Sequence, residues 1–257
     1  MQPLRPVGQP TRIALGIAFF AAFLAAWSVV TYGGLVPPLF LASPGKTLEA
    51  GWALFTQFGF AGDIAITIFR VVGGFVVAAV IAVPLGLAMG AFKPIEALLE
   101  PFVSFARYLP ASAFIPLLIL WAGVDEAQKL AVIFIGSVFQ IIIMVAVVAG
   151  ATRRDLVEAA STLGARSRGI VLRVIIPSAA PQVAETLRLV LGWAWTYVIV
   201  AELIGAQSGI GHMIMDSQRL LDTGQMIFGI VTIGAIGLVT DFLVKALNRR
   251  LFPWAVI

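Results

Sequence analysis

Residues 152–177 have the sequence TRRDLVEAASTLGARSRGIVLRVIIP and lie between two apolar runs, at 128–149 and 184–206. Each run is about 20 residues long, which is the length that a helix needs to cross a bilayer. The segment between them carries five arginines and only two acidic residues. Because basic loops stay on the cytoplasmic side of a membrane, this segment is expected to be cytoplasmic and to orient both runs.

The whole chain has the composition of a membrane protein. Of its 257 residues, 60% are hydrophobic and 12% are charged, whereas soluble domains carry about 25% charged residues. The mean hydropathy is +1.02. With no cysteine and one histidine, the sequence offers no disulfide, thiol nucleophile or cysteine-ligated zinc, and a histidine-based metal site is not expected. The net charge of +4 comes from Lys and Arg beside apolar runs, so it indicates topology rather than nucleic-acid binding.

Hydropathy predicts an all-α integral membrane protein with six transmembrane helices. The first run is too long for the core of a signal peptide and is interpreted as a retained span. An even number of spans places both termini on one side, and the basic residues at both ends indicate the cytoplasm. The predicted spans are 13–33, 65–92, 98–121, 128–149, 184–206 and 225–247.

We expect a single transmembrane domain, 13–250, with a cytoplasmic loop at about 150–183. A short cytoplasmic segment, 1–12, precedes it and a cytoplasmic tail, 251–257, follows it. In the external loop 34–64, a Pro- and Gly-rich turn followed by helical spacing of apolar residues predicts a short helix on the outer surface.

Two predicted spans carry unusual residues. In the second span small residues recur at every fourth position, at Ala78, Ala82, Gly86 and Gly90, and this stripe favours close packing against another helix. Pro84 in the same span predicts a kink. The third span contains Arg107, Pro110 and Pro116 and should be bent, which makes it the first candidate for lining a pathway.

The basic loop has the signals of two short helices. Thr152 and Asp155 have capping-box spacing, which predicts a helix start at Thr152. Gly164 is typical of the left-handed residue that ends a helix. A second short helix is predicted from Ala165, with Pro177 marking its end. The loop is therefore expected to protrude as a two-helix elbow.

One phosphate-binding motif can be dismissed. Residues 43–47 contain Gly-Lys-Thr, but Phe40 stands where a phosphate-binding loop requires glycine, and the segment is external in this topology. If the protein works with ATP, another polypeptide must bind the nucleotide.

The loop resembles the signature of permease subunits of binding-protein-dependent ABC importers: EAA, three residues, Gly, nine residues, then Ile-x-Leu-Pro. Here Glu158-Ala159-Ala160, Gly164 and Val174-Ile175-Ile176-Pro177 occupy those positions, with Val174 and Ile176 as conservative departures. Further segments resemble the nitrate, taurine and aliphatic sulfonate branch of that family. They are Leu41-Ala42-Ser43-Pro44, Arg107-Tyr108-Leu109-Pro110, Ile115-Pro116-Leu117, Ala201-Glu202-Leu203 and Gly209-Ile210-Gly211.

The resemblance implies a type I ABC importer permease fold in a bacterial inner membrane. It implies that the elbow docks on a separate cytoplasmic ATPase, which would use ATP and Mg, while this chain is not an enzyme and binds no cofactor. The implied partners are a second permease copy, two ATPase subunits and a soluble substrate-binding protein; a heterodimer with a related permease remains open. The implied solute is a small anion such as taurine, an alkanesulfonate or nitrate. The implied coupling residues are Asp155, Glu158, Ala159, Ala160, Leu163, Gly164 and Arg166.

Ionisable residues inside spans are costly and are candidates for function. Glu202 is predicted either to orient an external gate or to form a structural pair, and Arg107 either to attract an anion or to reach the membrane interface. Local spacing predicts the pairs Glu185–Arg188 and Asp241–Lys245. The candidate pathway or gate residues are Arg107, Pro110, Trp195, Glu202, Gly209 and Gly211, with packing as the alternative role of Trp195.

Two other classes of protein agree less well with the sequence. A secondary transporter or channel working alone would show internal repeats and midplane carboxylates, and neither is evident in the sequence. An intramembrane enzyme would need a clustered metal or nucleophile set, which a chain with one histidine and no cysteine does not supply.

Overall fold

The computed structural model describes residues 8–255, and all regular structure in that range is helical. The prediction for segment 1–12 therefore lies partly outside the described residues, as do residues 256 and 257 of the predicted tail. The α-helices are α1 (Gln9–Tyr32), α2 (Pro44–Gln57), α3 (Phe60–Ala91), α4 (Lys93–Ala106), α5 (Ile115–Ala122), α6 (Glu126–Gly150), α7 (Arg154–Thr162), α8 (Ser167–Ile170), α9 (Ile176–Leu203), α10 (Ile210–Arg219) and α11 (Thr223–Leu251).

The helices confirm an all-α membrane protein. Within the described range, five helical segments are long and apolar enough to cross a bilayer, and a bent pair brings the number to six. That pair is α4 with the segment Ala111–Ala122, which meet at 80°. The bend predicted for the third span is confirmed. It falls between Arg107, which caps α4, and Pro110, whose φ of −66° and ψ of 122° are extended.

The fifth span is longer than predicted. Helical structure runs without a gap from Ser167 to Leu203, through a π-helical segment at Val171–Ile175 that joins α8 to α9. The prediction that Pro177 ends a helix is wrong, because Pro177 stands in the first turn of α9. Pro177 has no N–H to donate, and it stands where the π-helical pattern, closed by the Ile176 N–H on the Val171 carbonyl, changes back to α-helix.

By its contacts, the chain divides into two compact units. The first comprises Met1–Phe60 with Ile214–Val231. In it α2 approaches the start of α11 so closely that a Cβ on Gly51 would lie 2.2 Å from the ring of Phe228. The rings of Phe55, Phe60 and Phe228 pack on one another with centroids 5.3–6.2 Å apart. Among the residues of α1 none is buried.

The second unit comprises Ala61–Met213 with Thr232–Ile257 and contains the main core. The core is formed chiefly by α3, α6 and α9. The small-residue stripe of α3 lies against α6, as predicted: Ala78 and Ala82 are fully buried. A Cβ on Gly86 would lie 2.7 Å from the carbonyl oxygen of Ile142, and one on Gly90 would lie 2.4 Å from that of Ala146. The two backbones are in contact along this stripe.

Gly90→Ala should destabilise the protein by about 1–3 kcal/mol, because the added methyl group forces α3 and α6 apart. Gly62→Ala is the matched control on the same helix, since a Cβ there meets nothing within 4 Å and alanine favours helix. The measurement is thermal unfolding of the detergent-solubilised protein. Equal melting temperatures for the two variants would contradict the close α3–α6 contact.

Candidate functional site

Residues 154–170, which we call the elbow, form a short exposed projection. They comprise α7, a turn and α8, and neither helix has a buried residue. Glu158, Ala159 and Arg166 are exposed and Ala160 is half-buried. Leu163, at the end of α7, is 88% exposed. A large apolar side chain that is so fully exposed is available for contact with a partner.

The end of α7 has a defined geometry. Gly164 has φ +79°, the left-handed conformation that glycine adopts without strain. Its N–H donates to the carbonyl of Ser161 at 2.9 Å, and the N–H of Ala165 donates to that of Ala160 at 3.0 Å. These two bonds form a Schellman motif. The predicted left-handed glycine is confirmed, and a Cβ on it would meet nothing within 4 Å.

The start of α7 differs from the prediction. The capping residue is Arg153, not Thr152, and the helix has no side-chain cap. The Thr152 hydroxyl is buried and has no hydrogen-bond partner within the described range. The Thr152 N–H donates to the carbonyl of Ala149, so this residue belongs to the turn that closes α6. The Arg153 guanidinium instead hydrogen-bonds the carboxylate of Asp155 and holds the pKa of Asp155 below its ordinary value. Both side chains are exposed.

A buried polar cluster lies at the opposite end of α9. Its centre is Arg70 of α3, which is 1% exposed. The guanidinium Nε and Nη2 donate to the two carboxylate oxygens of Glu126 on α6, each at 2.6 Å. Nη1 donates at 2.7 Å both to Oε1 of Glu202 on α9 and to the carbonyl of Ser208. We call this set, with the residues bonded to it below, the Arg70 cluster.

The cluster fastens the loop that follows α9. The N–H of Gly209 donates to Asp63 Oδ1 at 2.6 Å, that of Ile210 to Thr67 Oγ1 at 3.0 Å, and that of Gly211 to Glu202 Oε2 at 2.8 Å. Three successive backbone donors thus end on side chains of α3 and α9. The loop is held at consecutive positions rather than by one contact.

Both glycines are needed for this approach. Gly209 has φ +109°, and a Cβ on it would lie 2.4 Å from Glu202 Oε1. A Cβ on Gly211 would lie 2.6 Å from Glu202 Cβ. Any side chain at either position would displace the Glu202 carboxylate.

Both cations of the cluster are paired. Arg70 lies against Glu126 and Glu202, and the Nζ of the buried Lys129 lies 3.7 Å from Glu126 Oε1. The side chains of Arg70 and Glu202 are 1% and 0% exposed. Removing one member of such a pair leaves a buried charge without its partner, at a cost of about 3–5 kcal/mol.

Glu202, Gly209 and Gly211 were predicted as candidates from the sequence, with a structural pair as one of two roles for Glu202; the structure shows that Glu202 is paired with Arg70. Arg70 was missed, together with its partners Glu126 and Ser208. A signal for Arg70 was present, because it is an ionisable residue within a predicted span. Its partners were not foreseeable, since Arg70 and Glu202 are 132 positions apart.

The remaining candidates lie outside the Arg70 cluster. Arg107 lines a cavity beside α4, Pro110 lies at the break of the third span, and Trp195 is buried in the core. The predicted pair Glu185–Arg188 is confirmed at 2.9 Å. The pair Asp241–Lys245 is wrong, because Asp241 instead accepts from Arg188 at 3.2 Å.

A helical membrane bundle with a short exposed helix between two spans agrees with the permease architecture that the loop sequence predicted. The fold is similar to that of a chain in the MetNI methionine ABC transporter, an inward-facing structure, with a TM-score of 0.65, 17% identity and coverage of 76% of this chain and 96% of that one.

Residues 82–253 match the family model described as binding-protein-dependent transport system inner membrane component, and the chain belongs to that family. A probable ABC transporter permease of Brucella melitensis is 36% identical over 95% of this chain and 98% of the relative. The taurine transport system permease of Escherichia coli is 30% identical over 95% and 90%. A putative aliphatic sulfonates permease of Bacillus subtilis is 32% identical over 93% and 87%. The predicted branch is confirmed.

Arg70→Met should lower the free energy of unfolding by about 3–5 kcal/mol, because Glu126 and Glu202 lose their shared counter-charge. Arg219→Met is the control: its side chain is 72% exposed and pairs with Asp216 at the surface, where an ion pair contributes less than about 1 kcal/mol. Thermal unfolding in detergent measures both. A similar small loss in each variant would contradict the role of the buried cluster.

Ile210→Cys provides a second test, because the chain contains no cysteine and Ile210 is fully buried. The introduced thiol should react slowly with a maleimide in the otherwise native protein. It should react quickly in the double variant that also carries Glu202→Gln, since the carboxylate that accepts from Gly211 and Arg70 is then lost. Equal labelling rates would show that the cluster does not hold the loop closed.

Proposed function

We propose that this chain forms the translocation pathway of an ATP-driven importer for a small anion of the sulfonate type, and that the elbow couples it to a separate ATPase. The observation that carries the proposal is the exposed end of α7, where Leu163 is 88% exposed and a Cβ on the left-handed Gly164 would meet no described atom within 4 Å. An energy-coupling contact needs a surface of this kind.

The elbow is connected so that its displacement would reach the core. It leaves α6 after three residues and enters α9 through continuous helix, and both of these helices contribute to the main core. Movement of α7 in a groove of the ATPase would therefore shift α6 and α9 as packed bodies. The π-helical segment lies at the junction, and such segments are frequent at functional sites.

The same helix would carry the movement to the Arg70 cluster. Ser167–Leu203 is a helical segment of 37 residues, about 55 Å long at 1.5 Å per residue. The elbow adjoins one end and Glu202 lies at the other. ATP-driven rotation at the elbow would thus strain the bonds that hold residues 208–211, and release of this loop would open the external side.

The remaining assembly follows from the family. We propose a homodimer of permeases in a bacterial inner membrane, with both termini cytoplasmic, two cytoplasmic ATPases that bind ATP and Mg, and a soluble binding protein outside. The coupling residues would be Asp155, Glu158, Ala159, Ala160, Leu163, Gly164 and Arg166. Taurine and aliphatic sulfonates are the solutes in the names of two relatives.

Gly164→Val should abolish sulfonate-stimulated ATP hydrolysis while the protein still inserts into the membrane. A left-handed conformation costs an ordinary residue about 1–2 kcal/mol and a β-branched one more, so α7 would end differently. Gly164→Asn is the control, because asparagine tolerates this conformation and the space around the glycine is open. Co-purification of the ATPase and its hydrolysis rate are the measurements. Normal coupling by the valine variant would refute the proposal.

A further inference from the structure

A polar cavity of about 350 Å³ lies between α3, α4 and α6, away from the Arg70 cluster. Its polar side chains all come from α4 or its C-terminal cap: Lys93, Glu96, Glu100, Ser104 and Arg107. The facing walls are small or apolar residues of α3 and α6 such as Gly90, Ala146 and Gly150. Helix α4 and its cap therefore provide all of the polar side chains that line the cavity.

The five polar residues follow the helical repeat, with steps of three or four positions. They form one stripe along α4, about 21 Å long from Lys93 to Arg107. In a segment that otherwise faces lipid or core, a polar stripe of this length needs a water-filled surface beside it.

The charges along the stripe are only partly neutralised. Lys93 pairs with Glu96 at the start of α4. Glu100 has no ion pair or hydrogen-bond partner in the part of the chain that the structure describes. The Arg107 guanidinium lies 4.8 Å from the ring of Tyr108 and donates to its hydroxyl at 2.9 Å. Its Nε is buried without an acceptor among the described residues. Glu100, which is exposed, and Arg107 thus have no counter-charge in that part of the chain.

Arg107 stands where the third span breaks, immediately before the 80° bend. Broken helices at membrane depth are tolerated where they line a cavity, and in transporters they mark binding sites. The other end of the cavity lies at Lys93 and Gly150, beside the turn that leads to the elbow. The stripe therefore leads from the break toward the membrane face that carries the elbow.

We propose that this cavity is a release site for a small oxyanion, in which Arg107 and Ser104 bind the anion and Glu100 weakens that binding so that it leaves toward the ATPase. The inference rests on the proposed importer function. The planar guanidinium of Arg107 lines the cavity, where its Nη groups can donate to a sulfonate oxygen. Glu100 lies two turns along the same face, about 10 Å away. A pathway needs sites that bind weakly enough to release.

The test uses proteoliposomes that contain the permease with its cognate ATPase and binding protein, with the ATPases outside and taurine and the binding protein in the lumen. Two quantities are measured: ATP-driven taurine efflux, and its inhibition by ethanesulfonate added on the ATPase side. Arg107→Gln should lower efflux about tenfold or more, the effect of losing a charged hydrogen bond, while binding-protein-stimulated ATP hydrolysis persists. The efflux rate of Arg107→Lys should lie between those of Arg107→Gln and the native protein. The efflux rate of the exposed Arg249→Gln should match that of the native protein.

Glu100→Gln is the discriminating variant. With the opposing charge removed, the concentration of ethanesulfonate that halves efflux should fall several-fold. A merely structural role for Glu100 would leave that concentration unchanged. Unchanged inhibition in Glu100→Gln, or native efflux in Arg107→Gln, overturns the release site. If Arg107→Gln does not assemble, the Glu100→Gln result decides alone. Failure of the native complex to move any sulfonate would instead refute the proposed function, before variants are compared.

Discussion

The architecture of the second unit depends on the hydrogen bonds and ion pairs of Arg70. It has no access to water, and its donors end on Glu126 of α6, Glu202 of α9 and the backbone of Ser208. A single guanidinium on α3 therefore joins two other core helices and the loop after α9. Apolar packing between these helices is not directional, whereas five donors in a rigid fork fix both distance and rotation. The cluster supplies the geometric precision that hydrocarbon contacts lack.

Glycines permit the closest approaches in this unit. Gly86 and Gly90 let α3 touch the backbone of α6. Gly209 and Gly211 let the loop after α9 lie against Glu202. At Gly209 and Gly211 the absence of a side chain admits the polar contacts of the Arg70 cluster.

Local features of the fold were predictable from the sequence and tertiary pairings were not. Span positions follow from hydropathy, and Gly164 ended α7 because a left-handed cap has few alternatives to glycine. The pair Asp241–Lys245 failed because a neighbour on the same helix is only one candidate, and Arg188 from α9 was closer in space. Arg70 and Glu202 could each be suspected, but no periodicity states which helices face each other. The predicted helix start at Thr152 and helix end at Pro177 were wrong, because each depends on how the adjoining helices, α6 and α9, continue.

Helix α1 differs from the core helices in what constrains its sequence. None of the side chains of α1 is buried by the chain, and it lies outside the region that matches the family model, which begins at residue 82. Two of its side chains hydrogen-bond to the following segment: the indole of Trp27 donates to the carbonyl of Ala42, and the hydroxyl of Tyr32 accepts from the N–H of Gly45. The other side chains of α1 are chiefly required to be soluble in lipid. This helix can thus tolerate apolar residues of many shapes, whereas α3 cannot exchange Gly86 or Gly90 for alanine without a clash against α6.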